Sequence, residues 1–304
     1  MRPLRLLLPT LLAFAAAAPG LSAGENAPVP TEGPKRLLFV THSGGFIHDS
    51  VGVAEDVLKE VGPKNGFTVT CWRLTNTEDS SPNVAGKGKR TADQAREHYS
   101  NEFRKRTGKT VDAGNMGRIN KETLKNFDVV LFFTTGNPMT ESETKDLVEW
   151  VKAGGAFAGT HCATDTLYGD AAYGNLIGGY FSGHPAIQTI KVKVDDPKHP
   201  AAAAFEDGQD YRDEMYVFGL RGQFKEQPYG RKKVNVILSI APGSFDLQKT
   251  APRPDGDYAI SWSREEGKGK VFYTSFGHRQ EVWKDEKFQK HLFGGLTWAL
   301  GGGK

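Results

Sequence analysis

Two apolar runs in the middle of the chain constrain its fold more than any other feature. Asp128 to Thr134 reads DVVLFFT and Ala156 to Thr160 reads AFAGT, almost without a polar break. A strand with one wet face alternates apolar and polar residues, whereas a strand covered on both faces is apolar throughout. Between the two runs, Thr140-Glu141-Ser142-Glu143 is a pattern in which a threonine and a glutamate three residues on cap each other's backbone amides. It opens a helix, ESETKDLVEWVKAGG, that Gly154 and Gly155 close. Doubly buried strands separated by a helix predict a parallel α/β sheet built from right-handed crossovers.

The same rhythm holds before these runs and changes after them. Arg36 to Thr41 is a short apolar run that enters the loop HSGGFIHDS, and a helical pattern follows from Val51 to Val61, with Asp49 or Ser50 as its N-cap. Phe67 to Trp72 is a second β-rich run. After His199-Pro200 the character shifts toward strands: VNVILSIA, YAISWSRE and KVFYTSF, the last two joined as a hairpin through EEGKGK. The segment DEKFQKHLFGGLTWAL is an amphipathic helix with Phe288, Leu292, Leu296 and Leu300 on one face. Residues 76–120 break the pattern. They are polar and basic, with GKGKR at 86–90 and a helix over ADQAREHYSNEFRKR, and read as a solvated surface insertion rather than a docking patch for an anionic partner.

The first 23 residues read as an address rather than as structure. Arg2 and Arg5 precede the apolar run LLLPTLLAFAAAA, and Leu21-Ser22-Ala23 supplies a small-residue end, the order of an export signal. The run is broken by Pro9 and falls short of the roughly 20 residues that span a membrane. Residues 24–35, rich in Pro and Gly, follow as a flexible tether to a domain over 36–302. The expected location is therefore periplasmic or secreted, with no transmembrane segment in the mature chain. With 39 Lys+Arg against 36 Asp+Glu, the net charge of +3 is too balanced for a nucleic-acid binder. Two cysteines, Cys71 and Cys162, exclude a disulfide scaffold and a four-cysteine zinc module, although export would permit a bond between them.

Ligands of an open parallel sheet sit at the carboxyl ends of its strands, and four of the eight histidines fall in loops that gather there. His48 follows the first strand in GGFIHDS, His161 follows AFAGT directly, His184 lies in GGYFSGHP, and His278 follows KVFYTSF. Asp49, Asp165 and the pair Asp213-Glu214 accompany them. Neutral imidazole is the commonest metal ligand and a general base near neutral pH. The four histidines are therefore expected to converge with Asp165 and Glu214, around a divalent ion, zinc foremost, or as a hydrogen-bonded polar pocket without one. No HExxH or CxxC framework is present. The run Gly159-Thr160-His161-Cys162 has the look of a nucleophile elbow, but its sharp-turn position falls on His161 and leaves Cys162 one residue late. Cys162 is expected to be a small buried side chain, dispensable for chemistry.

These segments together resemble a known family. GGAFAGTHCATDTLYGDAAYGNLIGGYFSGHP is similar to the hallmark stretch of the ThuA-like (trehalose utilisation) proteins, and GGFIHDS, HPAAAAF, DEMY and KVFYTSFGHRQEVW extend the likeness over roughly residues 36 to 300. The resemblance implies a flavodoxin-like sandwich related to class I glutamine amidotransferases, a mainly parallel sheet with added antiparallel strands, in which the Cys-His-Glu triad is missing and His161 stands where the cysteine would be. It also implies a carbohydrate ligand: an exported, metal-assisted hydrolase or lyase acting on a glycoside or keto-glycoside, with a non-catalytic sugar-binding module as the alternative and an amidotransferase-like cysteine enzyme as a distant third. On this reading His161, Asp165 and His278 carry the chemistry, His48, His161, His184 and His278 hold the metal, and Tyr168, Tyr180, Glu214 and Trp262 meet the sugar. The export reading is checked by mass spectrometry of the protein from its host, which should show an N-terminus close to Gly24; an intact Met1 in a cytoplasmic fraction would contradict it.

Overall fold

The computed structural model describes residues 33–77, 91–219 and 228–302, so the export segment, most of the tether and the GKGKR run lie outside the described residues. Five parallel strands form the heart of the molecule: β1 (Lys35–Val40), β2 (Phe67–Trp72), β3 (Val129–Phe132), β4 (Ala156–Thr160) and β11 (Gly269–Thr274), arranged in the order β2-β1-β3-β4-β11. This is the flavodoxin-like order, and the direction of winding reverses between β1 and β3. Four antiparallel strands extend the sheet to nine among the described residues: β10 (Ala259–Glu266), β9 (Asn235–Ile240), β6 (Gln188–Val194) and the edge strand β7 (Asp210–Asp213). The predicted hairpin is β10-β11, turned through Gly267 and Lys268. A separate two-stranded ribbon pairs β5 (Phe181–Gly183) with β8 (Val217–Phe218).

Successive residues of a strand point to opposite faces, and both faces here are covered. Leu37 and Phe39 of β1, with Val129 and Leu131 of β3, pack beneath α1 (Ser50–Val61), α2 (Ala92–Thr107), α6 (Gln280–Lys284) and α7 (Glu286–Ala299). Leu38, Val40, Val130 and Phe132 pack on the other side against α3 (Lys121–Leu124), α4 (Glu141–Lys152) and α5 (Ala171–Ile177). The capping box at Thr140 and Glu143 is formed, and Phe288, Leu292 and Leu296 of α7 are buried as the fourfold spacing predicts. No helix among the described residues is long and apolar enough to cross a membrane.

Helix α2 lies inside the stretch read as a solvated insertion, and its inner face belongs to the core. Tyr99 and Phe103 are fully buried within the cluster that holds α1 and the sheet. The Tyr99 hydroxyl donates to the Arg73 carbonyl at 2.5 Å and accepts from the Ser43 amide at 3.0 Å. A side chain at Gly52 on α1 would meet the Thr107 carbonyl at 2.1 Å, so only glycine lets the two helices approach this closely. Below them a buried ion pair ties α1 to the end of β2: Arg73 grips Glu55 through Nε at 3.1 Å and a terminal nitrogen at 2.6 Å, and Thr41 donates to the same carboxylate. We expect Phe103→Ala to lower the unfolding free energy by about 3–5 kcal/mol in urea melts, the figure for a large aromatic removed from a core. A loss below about 0.5 kcal/mol, usual for an exposed position, would return α2 to the status of an appendage.

Candidate functional site

Parallel strands deliver their carboxyl ends to one edge of the sheet, and the loops after β1, β4 and β11 leave from that edge. Because β10, β9, β6 and β7 alternate in direction, β7 ends there too. These four loops carry His48, His161, His278 and Glu214. One ring nitrogen from each of the three histidines falls within 4.8 Å of the others. The ring centroids are 4.8 Å apart for His48 and His161, 5.3 Å for His48 and His278, and 5.2 Å for His161 and His278.

His161 occupies the apex of the turn that follows β4. Its φ of 44° is left-handed, a conformation that strains any residue bearing a Cβ by about 1–2 kcal/mol. The surroundings hold it there: the His161 carbonyl accepts from the Tyr273 hydroxyl at 2.7 Å, and Nδ1 lies 2.9 Å from the Ser275 carbonyl. A carbonyl only accepts, so Nδ1 carries a proton and the ring turns its Nε2 toward the cluster. Cys162, one residue past the apex, points into the core and is 1% exposed. Burial pushes its thiol well above the usual range, which removes the thiolate an amidotransferase-like reaction needs. Cys71 and Cys162 are both free thiols.

The loop bearing His278 hangs from Asp213. One carboxylate oxygen accepts from the Gly277 amide at 2.8 Å and the other from the Arg279 amide at 3.2 Å. Gly277 has a φ of 123°, and a Cβ there would press on Thr160 Oγ1 at 2.9 Å. Burial raises the Asp213 carboxyl to about 6. His48 enters from the start of α1, 5% exposed, with no hydrogen-bond partner for Nδ1.

Electrostatics separate the imidazoles from their carboxylate. Burial, then the fields of His161 and His278, hold His48 well below the usual histidine range. Burial and His161 lower His278 to about 4. Burial would raise Glu214, but the hydrogen bond from His184 and the proximity of His161 and His278 outweigh it and keep the carboxylate ionised. Glu214 Oε2 lies 3.5 Å from His161 Nε2 and 3.3 Å from His278 Nδ1, and the two ring nitrogens are 3.3 Å apart. Two acceptors therefore face one another across a point that demands positive charge. A proton on His278 Nδ1 can serve both.

The other expected site residues are distributed around this centre. His184 stands outside the three-histidine cluster, its Nδ1 3.0 Å from the far oxygen of Glu214, and that hydrogen bond raises its proton affinity. Asp165 ends the short 3₁₀ turn His161–Thr164 rather than continuing a helix, and it is not part of the cluster. Its Oδ1 accepts from the Tyr168 hydroxyl at 2.5 Å. Tyr180 and Trp262 are corrections: both are fully buried, so neither can stack on a sugar. The Tyr180 hydroxyl donates to the Asp170 carbonyl at 2.6 Å, and Trp262 Nε1 donates to the Ile177 carbonyl at 2.8 Å, so the two rings brace the start and end of α5. Sequence reasoning missed Tyr216, whose ring centroid is 4.2 Å from that of His161. Its place two residues after Glu214 in DEMY was the available signal.

A family model described as ThuA, trehalose utilisation, matches residues 36–299. Two solved structures share the fold. A protein described as ThuA-like from Bacteroides uniformis ATCC 8492 superposes with a TM-score of 0.58 at 19% identity, covering 91% of this chain and 95% of its own. Another so described, from Parabacteroides merdae ATCC 43184, has a TM-score of 0.59 at 14% identity, covering 89% and 92%. A comparison with curated proteins finds none that matches.

The lowered imidazoles make stability depend on pH. A histidine kept neutral in the fold is protonated first in the unfolded chain, so its contribution is complete above about pH 6.5 and is lost as the pH falls toward the folded value. That value is about 4 for His278, and buried His199 and His291 behave alike at about 4. Each contributes roughly 1.4 kcal/mol per pH unit in that window. Asp213, raised to about 6, opposes them, because its unfolded carboxylate ionises first. The melting temperature of the metal-free protein should fall on acidification from pH 6.5 to 4.5, and a flat or rising trend in thermal melts would contradict this charge assignment.

Proposed function

Because the chain belongs to the ThuA (trehalose utilisation) family, we propose that it is an exported carbohydrate-processing protein that acts on a glycoside or keto-glycoside at a divalent-metal centre held by His48, His161 and His278. The observation that carries the reading is the convergence of three imidazoles with an ionised carboxylate at the sheet edge. The donor set fits zinc. His161 Nε2 is a lone pair fixed by the Nδ1–Ser275 contact, His48 Nδ1 is buried without a hydrogen-bond partner, and both His48 and His278 are kept in the neutral form that binds metal. Three imidazoles with an open position are the ligand number of a catalytic rather than a structural zinc site. When bound, such an ion supplies Lewis acidity to a sugar oxygen.

The remaining residues orient the substrate and hold protons. His184 keeps its proton at Nδ1 against Glu214 Oε1, on a ring still 42% exposed, which suits it to exchange protons with an incoming hydroxyl. Glu214 spans the cluster and His184, so a proton accepted at Oε2 is felt at Oε1. Tyr216 backs the His161 ring and closes that side to water. The Tyr168 hydroxyl, bound to Asp165, lies at the half-buried rim.

Elemental analysis of the purified mature protein should find about one zinc per chain, and His161→Ala should lose it. A screen of glycosides and their 3-keto forms should show turnover that the metal-depleted protein lacks and that added zinc restores. A wild-type protein that neither retains nor takes up a divalent ion would overturn the metal centre.

A further inference from the structure

Phe46 is 52% exposed and is the one exposed large hydrophobic side chain among the described residues. A solitary exposed phenylalanine on a mobile loop needs no explanation. This one is held. The Gly44 amide donates to the Thr135 carbonyl at 2.9 Å, the Gly45 amide to Thr135 Oγ1 at 3.1 Å, and Thr135 Oγ1 donates to the Phe46 carbonyl at 2.9 Å. The ring meets His48 edge-on with centroids 4.8 Å apart, at the border of the histidine cluster. Arg106, from the last turn of α2, sets its guanidinium carbon 5.1 Å from the ring centroid and donates from Nε to the Ile47 carbonyl at 3.1 Å. That bond orients the fork and leaves its terminal N–H groups without an ion pair or hydrogen bond among the described residues.

We propose that Phe46 and Arg106 form a substrate-positioning subsite at the rim of the histidine cluster, Phe46 taking the apolar C–H face of a sugar ring and Arg106 an oxygen substituent of that ring. The inference rests on the function proposed above and adds where the ring lies. A pyranose presents axial C–H bonds on its faces and polar groups around its edge. With the Arg106 guanidinium over one face of Phe46, the sugar takes the remaining exposed ring surface, where stacking removes apolar area from water on each partner and the guanidinium supplies paired donors for hydroxyl or carboxylate oxygens. Placing the sugar on Phe46 brings its edge toward His48 at the border of the cluster.

The test uses full-length mature protein with methyl β-D-glucopyranoside, its 3-keto form and methyl β-D-glucuronide, read by saturation-transfer NMR and calorimetry. Phe46→Ala should weaken all three about tenfold, equivalent to about 1.4 kcal/mol, and should raise KM while leaving kcat near wild type. Arg106→Gln should weaken the glucuronide more than the glucosides if a carboxylate is the oxygen held, and all three equally if it is a hydroxyl. Zinc content should match wild type in both variants, since neither side chain is a metal ligand. Wild-type sugar affinity in Phe46→Ala or in Arg106→Gln would overturn the subsite and leave the proposed function standing. Failure of the wild-type protein to bind any of the three would overturn both.

Discussion

Strands β3 and β4 are sealed on both faces, and the rest of the molecule is arranged around that fact. No side chain along their length can meet solvent, so chemistry is pushed to where the chain leaves the sheet. The first residue after β4 is His161, forced through a left-handed turn that a glycine would adopt more readily. Its position there places an imidazole where a nucleophile elbow would place a thiol. The antiparallel extension then returns β7 to the same edge, which is how Asp213 and Glu214, from the far side of the sheet, arrive beside residues from β1, β4 and β11.

The polar centre is asymmetric in charge. Three imidazoles sit at contact distance, and their burial, more than any single neighbour, keeps His48 and His278 uncharged. Glu214 is the compensating anion and has partners on both oxygens. Asp213, adjacent in sequence, plays a different part, because both of its oxygens are occupied by backbone amides of the loop that carries His278. Asp213 ends β7 and Glu214 follows it, and the two serve different ends: Glu214 faces the site while Asp213 fastens its wall.

Much of this was legible in the sequence where the signal was local. Doubly buried strands, the capping box at Thr140 and strand-end histidines are patterns a few residues long, and each was found at its expected place. Aromatic residues were less legible, because burial and ligand stacking draw on the same chemistry. Tyr180 and Trp262 read as sugar contacts and are braces, while Phe46, within a motif noted for its histidine, is the exposed one. The burial of α2 was hidden because Tyr99 and Phe103 make a narrow stripe on a helix otherwise dominated by charge. The meeting of Arg106 with Phe46 joins residues far apart in the chain, and no local pattern encodes it.

The hydroxyl of Tyr99 couples a distant helix to the site. It bonds the Ser43 amide, in the loop leading to His48, and the Arg73 carbonyl, which follows β2. A helix between two strands of the sheet thereby supports the backbone of the first histidine loop. The loop and the helix are therefore mechanically one unit, and removing α2 would strip the first histidine loop of that support.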